Sequence, residues 1–488
     1  MISVSFEERA GIGLNYILDN LHGCSPFGLE RIRHLRFYAP DERALLEAEL
    51  VNTEKAASSV AGSKDVLEKI AVELCRLKDI RPSLKRLGEG DCLDAVELFE
   101  LKGYLERIGA LIPLLAEWNA AAKLDGVALH DPSAAMQVLD PEQTRSRGFY
   151  IPDSASEGLR AVRRAKKTVE ERLYRAQSDA ERTDLKLERT RICADEEAEE
   201  RKVRETMCRK LMPMADDLLA DAQTLGAVDF LIQKAQFAAR RGCVRPTLTE
   251  TELELTDMVN PELDDLLRQK GRAFVPVSIA LDRGATVITG ANMGGKSVAL
   301  KTLALSVLLC HAGFLVPAKA ARIPMFACIR MLFDDLSSMR SGLSGFGSEI
   351  VQFKKALEAA KQGYALLLLD EFARGTNPDE GALIVQAVVR YLNGIDAISV
   401  LSTHYDRVAE EASRHYQIIG LKDVDPDAIA REIGPNIDDG VAAIARHMNY
   451  GLYRIEGRAD CPRDALHICR MLSLEPEILE RIEQKYRS

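Results

Sequence analysis

Thr286-Val-Ile-Thr-Gly290-Ala291-Asn292-Met293-Gly294-Gly295-Lys296-Ser297-Val298-Ala-Leu-Lys-Thr302 joins three textures in seventeen residues. Thr286-Val-Ile-Thr is β-branched and apolar and predicts a buried strand. Val298 onward has the spacing of a helix. Between them, Gly290 to Ser297 fits the pattern G-x-x-x-x-G-K-[S/T]. Glycines there let the backbone curl so that successive N–H groups face an anion, and the helix start adds its positive dipole. Lys296 is placed for β- and γ-phosphates, and the Ser297 hydroxyl for Mg²⁺. The stretch Gly290–Val298 therefore reads as a cradle for ATP.

Working outward, Ala365-Leu-Leu-Leu-Leu-Asp370-Glu371 is an apolar strand that delivers two carboxylates at its C-terminal end, 73 residues beyond Ser297. Ligand chemistry in open α/β sheets sits at that edge. Asp370 suits Mg²⁺ and Glu371 suits the general base that polarises water. After the next apolar run, Ile398–Leu401, comes Ser402-Thr-His404-Tyr405. His404 is a candidate sensor of the γ-phosphate, although a lone histidine is more often structural. Continuous apolar strands separated by helical stretches indicate a mainly parallel sheet buried on both faces.

The 488 residues are 47% hydrophobic and only 6% aromatic, with a net charge of −10. Low aromatic content with many Ala, Leu, Glu and Arg suggests a helix-rich protein of about three or four domains. An acidic chain is not one coated in positive charge for nucleic acid, although a local basic groove is compatible with it. Ten Cys without a CxxC pair read as buried thiols, not a zinc site. The start, with Glu7, Glu8 and Arg9, lacks the pattern of a signal peptide. Leu300 to Val316 is interrupted by Lys301 and His311 and is too short to span a bilayer. These features point to a cytoplasmic protein without a membrane segment.

Five segments are expected. Residues 1–155 form a helical core domain, with Leu46, Leu50, Leu98, Leu101 and Leu105 at helical spacing. Residues 156–205 form long charged lever helices; 157–205 hold 14 Lys/Arg and 13 Asp/Glu. Arg160, Arg163, Arg164, Lys166 and Lys167 cluster there, either as a solvated helix face or as a phosphate-backbone contact. Residues 206–249 return to the core. Residues 250–435 form the α/β ATPase domain, and 436–488 a helical segment for dimerisation.

The glycine loop, Asp370-Glu-Phe-Ala-Arg-Gly-Thr376 with Asp379-Glu-Gly381, and Ser402-Thr-His404-Tyr405 together resemble the MutS family, the DNA mismatch-repair branch of the ABC-type ATPases. Asp334-Asp335-Leu336 and Ser344-Gly-Phe346-Gly-Ser-Glu349 resemble its signature loop, which implies that Ser344 reaches the γ-phosphate held by a partner subunit. Phe274, in Phe-Val-Pro-Val-Ser-Ile, stands where the family stacks an aromatic on adenine; a buried strand Phe is the alternative. Residues 465–482 resemble the family's closing, dimer-forming helices. Tyr150–Ser156 and Leu159–Arg163 echo the branch that carries a nuclease. The resemblance implies a P-loop ATPase of ABC/MutS type, with catalytic Glu371, His404 and Ser344 and with ATP and Mg²⁺ as cofactors.

Four departures shape the expected function. No Phe-x-Glu mismatch-reading segment is visible, no nuclease domain is expected after Ser488, the lever helices are short for a clamp that encircles DNA, and Ala291-Asn292 replaces the usual Pro-Asn. The leading expectation is a homodimeric, ATP-dependent clamp on mismatched, damaged or branched double-stranded DNA. The alternative is an ATP-driven remodelling factor for a partner enzyme. A generic phosphate-loop kinase is a poor third, because no acceptor site is recognisable.

Overall fold

The structure is a computed structural model that describes residues 2–142, 151–290, 295–333, 345–405, 407–421, 447–456, 469 and 474–487. The chain forms two units, one of Met1–Leu21, Leu35–Ala57 and Lys234–Ser488, the other of His22–His34 and Ser58–Gln233.

The first unit holds all ten described strands: β1 Thr247–Thr249, β2 Leu253–Met258, β3 Val277–Leu281, β4 Gly284–Thr289, β5 Ala320–Pro324, β6 Cys328–Leu332, β7 Ala365–Asp370, β8 Ala397–Thr403, β9 Arg414–Gly420 and β10 Asn449–Ile455. A four-stranded sheet has the order β1-β5-β2-β3, and a six-stranded sheet the order β10-β9-β4-β8-β7-β6. In the larger sheet β9, β4, β8, β7 and β6 run parallel, and β10 joins antiparallel at the edge. Every residue of β4, β7 and β8 is buried, as expected for central strands covered on both faces.

Two helices, Gly345–Ala360 and Pro378–Leu392, supply Phe353, Ala356, Val385 and Val389 to a core shared with Leu367, Leu369 and Leu401. A third, Lys296–His311, buries 13 of its 16 residues. This is why Leu300–Val316 is so apolar: a helix without a polar face belongs in an interior. Among the described residues no helix is long and apolar enough to cross a membrane.

Two sequence expectations are corrected. Beyond residue 440 the chain is not helical throughout, because β10 occupies Asn449–Ile455. Its half-buried run of Tyr450, Leu452 and Tyr453 takes strand form by pairing with β9, a distant partner that local propensity does not reveal. The run Phe274–Ile279 becomes strand only from Val277. Pro276 has no N–H for the ladder, so Phe274 lies in the preceding irregular segment.

The second unit is all helical among its described residues. Its longest core helix, Ala95–Ala122, is capped by Asp94 and buries Leu98, Leu101 and Leu105, the periodicity read above. Helices Glu157–Arg175 and Asp179–Leu211 pair through small apolar clusters, Leu159 with Val203 and Met207, and Val169 with Leu185. Charges flank these clusters: Arg163 bonds Glu196 (3.1 Å), Glu200 (2.8 Å) and Asp153 (2.7 Å), and Lys166 bonds Glu196 (2.5 Å). Arg160 donates to the Asp153 carbonyl at 3.3 Å. Two of the five basic residues, Arg163 and Lys166, are thus turned onto acidic partners within the unit, and Arg164 and Lys167 are left facing solvent. Gly158 has a packing reason, since a Cβ there would lie 2.4 Å from Glu199 Oε2.

His311 gives the first unit a pH limit. The ring is fully buried, accepts from Phe326 N–H at Nε2 (3.3 Å) and donates from Nδ1 to Tyr38 O (3.0 Å). Burial pushes its pKa below the ordinary 6.5, outweighing the two backbone carbonyls that pull it up. The unfolded chain therefore takes up a proton that the folded one refuses, so this contribution to stability is complete above about pH 6.5 and is lost as pH falls below it. His311→Gln should flatten the decline in urea midpoint between about pH 7.5 and 5.5; an unchanged slope would contradict the assignment.

Candidate nucleotide site

Parallel pairing aligns the strand ends that carry the chemistry. Thr289 of β4 sits opposite Thr403 of β8, and Ser402 of β8 opposite Asp370 of β7. Gly290, Glu371 and His404 follow directly, so the three motifs meet at one sheet edge. Gly290 (φ 152°) and Gly295 (φ 92°) adopt backbone that other residues rarely take. A Cβ on Gly295 would also meet Tyr450 Cδ1 at 2.9 Å. Helix Lys296–His311 starts from Gly295 with no side chain capping its first turn, which leaves amides for an anion. Lys296 is 3% exposed; its Nζ donates to Gly290 O at 2.7 Å and lies 3.7 Å from Glu371 Oε1. Ser297 and Val298 are half-buried on the first turn. Ala291, Asn292, Met293 and Gly294 lie outside the described residues, as do Asp334, Asp335, Leu336 and Ser344.

Asp370 is 9% exposed and accepts a hydrogen bond from the Ser402 hydroxyl. That hydroxyl in turn accepts from the Glu371 N–H at 3.0 Å, so one serine holds both acidic positions. Glu371 Oε2 is 3.0 Å from Arg374. His404 faces outward beside Tyr405, with ring centroids 4.6 Å apart. Desolvation lowers its pKa; Glu371 opposes this, while Lys296 and Arg374 add to it. The imidazole is therefore mainly neutral at pH 7, able to donate one hydrogen bond and accept another. A cavity of about 700 Å³ opens beside Asp370 and Glu371 and is also lined by Lys301, Arg330, Glu349 and Arg374.

Asp370 and the Ser297 hydroxyl are hard oxygen donors and fit Mg²⁺ completed by phosphate and water. Phe274 is half-buried outside any strand, so the buried-strand alternative does not hold for it. Below the loop, features unannounced by any motif appear. Thr289 Oγ1 hydrogen-bonds His415 Nε2 (2.7 Å) and accepts from Gln417 Nε2 (3.4 Å), and Gln417 bonds the Tyr453 hydroxyl. Glu349 and Tyr405 close on the loop after Asp370. These two, unlike His415, Gln417 and Tyr453, stand within the motifs quoted above, which gave no hint of this contact.

Residues 286–468 match the family profile of MutS domain V. Over those residues the chain carries a MutS domain V. It is 30% identical over 277 residues to the DNA mismatch repair protein MutS of Shouchella clausii, covering 56% of this chain and 30% of that protein. It is 28% identical over 393 residues to the endonuclease MutS2 of Symbiobacterium thermophilum, covering 69% and 49%. With the DNA mismatch repair protein MutS of Leptospira interrogans the identity is 26% over 401 residues, covering 78% and 45%. The chain thus spans less than half the length of each of these relatives.

Within this MutS-type site Gly295→Ala imposes both backbone strain and a clash with Tyr450. Strain of about 1–3 kcal/mol should weaken binding of a fluorescent ATP analogue roughly tenfold or more. Adding Tyr450→Ala should relieve the clash but not the backbone, recovering only part of the affinity. Full affinity in Gly295→Ala would refute this account of the loop.

Proposed function

We propose that the chain is an ATPase that works as a dimer and couples ATP hydrolysis to its hold on DNA. The observation that supports this best is the convergence of Gly290–Ser297, Asp370–Glu371 and His404 on one sheet edge, with Lys296 reaching between the glycine loop and Glu371. On this reading an arriving triphosphate takes the loop amides and competes with Gly290 O for Lys296. Ser297 and Asp370 would hold Mg²⁺, which neutralises charge developing on the phosphates. Glu371 orients the attacking water and takes its proton. Neutral His404 can hydrogen-bond the water or the γ-phosphate. Ser344 would complete the site in trans, and Phe274 would stack on the adenine. Catalysis is then chiefly positioning and charge stabilisation.

Lys296→Ala should abolish ATP turnover and leave the circular dichroism and melting profile near those of the parent. Glu371→Gln should still bind ATP but lower turnover by roughly 10²-fold or more. A Lys296→Ala protein that hydrolyses ATP at the parent rate would refute the assignment.

DNA as the ligand rests on the relatives, which are named for DNA mismatch repair and as endonucleases. The Arg160–Lys167 cluster adds little, because Arg163 and Lys166 are engaged by carboxylates. Gel shifts with duplex, mismatched and branched DNA at several salt concentrations test it. A DNA-binding dimer gives affinity that falls steeply with salt as counterions are released. Absence of binding to all three DNAs at low salt, with ATP present, would sink the DNA reading and turn attention to a protein target.

A further inference from the structure

Glu371 and Ala373 are two left-handed, non-glycine residues within three positions, with φ of 47° and 65°. Backbone of this kind persists only where its surroundings over-determine it. Here each strained residue is held by named bonds. The Glu371 N–H donates to Ser402, to the hydroxyl at 3.0 Å and the carbonyl at 3.2 Å. The Ala373 N–H donates to Glu349 Oε1 at 3.0 Å, and Ala373 O accepts from the Tyr405 hydroxyl at 2.9 Å. Ala373 is fully buried and Tyr405 is 7% exposed. Phe372, between the strained pair, packs on Phe353 with ring centroids 5.0 Å apart.

These bonds come from three elements. Glu349 and Phe353 lie on helix Gly345–Ala360, just after Ser344. Tyr405 follows His404 at the end of β8. Ala373 follows Glu371 at the end of β7. Room for the phenol is built in, since a Cβ on Gly381 would lie 2.5 Å from Tyr405 Oη and 2.8 Å from its Cζ.

We infer that Tyr405 and Glu349 are positioning residues that clamp Ala373 at both its N–H and its carbonyl, fixing the Glu371 carboxylate for water attack and tying it to the helix that follows Ser344. The inference rests on the ATPase reading. Neither residue meets the nucleotide on this account; each acts through Glu371. The clamp therefore sets turnover and not ATP affinity.

The test uses the full chain with Tyr405→Phe, Glu349→Ala and Glu349→Gln. Tyr405→Phe keeps the ring and removes only the donor. Tyr405→Phe and Glu349→Ala should lower kcat about tenfold or more while KM for ATP stays within about twofold. Amide hydrogen exchange at Ala373 should speed up in both. Glu349→Gln keeps an oxygen acceptor and should recover most of the rate lost in Glu349→Ala. Parent-like kcat and exchange in Tyr405→Phe overturn the clamp. So does a rise in KM matching the loss in kcat, or a Glu349→Gln as slow as Glu349→Ala. If the parent chain itself hydrolyses no ATP, the ATPase reading fails separately, and exchange at Ala373 alone decides the clamp: an unchanged rate overturns it.

Discussion

Parallel pairing of β4 with β8 and of β8 with β7 brings residues 290, 371 and 404 together from more than a hundred positions of chain. Thr289 opposite Thr403 and Ser402 opposite Asp370 fix the register. A slip of one residue would exchange the side chains presented to the two faces, and with every residue of all three strands buried such a slip would misfit the packing on both sides at once. The hydrophobic effect thereby sets the site's geometry, while the polar residues at the strand ends supply its chemistry. Ser402 shows how closely the two are joined, since a single strand-end hydroxyl serves both Asp370 and Glu371.

What was legible in the sequence follows from where each constraint originates. The glycine loop announces itself because backbone curl, helix start and lysine are local requirements; Gly290, Gly295 and Lys296 must stand in that order for the turn to form. Asp370 and Glu371 are legible for a similar reason, since a run of four leucines ending in two acids has few other uses. The Leu98, Leu101 and Leu105 periodicity is equally local. By contrast, β9 and β10 form through each other, and Arg163 finds Glu196 across 33 positions. The grouping of Leu35–Ala57 with residues from Lys234 onward depends on buried bonds such as Thr53 Oγ1 to Gly313 O (3.2 Å) and Lys234 Nζ to the same carbonyl (3.0 Å). No periodicity foretells contacts of that separation.

The charged helices show how composition alone can mislead about partners. Fourteen cations in 157–205 suggest a surface for phosphate, yet the 13 anions of the same span are not spread at random over the folded pair. Glu196 and Glu200 stand against Arg163 and Lys166, and Glu170 and Glu188 against Arg189 and Arg172. Exposed pairs of this kind contribute roughly 0–1 kcal/mol each. They nevertheless set the register of two helices whose apolar contact is reduced to a few residues, and they lower the local potential that DNA would need.

Strain at the acidic edge has a consequence for how the domain can work. Two left-handed residues cost of order 1–3 kcal/mol each, and that energy is held by bonds from helix Gly345–Ala360, from β8 and from the backbone itself. A loop balanced in this way is stiff only while all its partners are in place. Movement of helix Gly345–Ala360 would draw Glu349 from the Ala373 amide and let the backbone around Glu371 relax. Because that helix directly follows Ser344, whatever engages the segment before it acts on the acid without touching it. On the ATPase reading this ties the position of that helix to the alignment of water at the γ-phosphate, through Glu349 and the Ala373 amide.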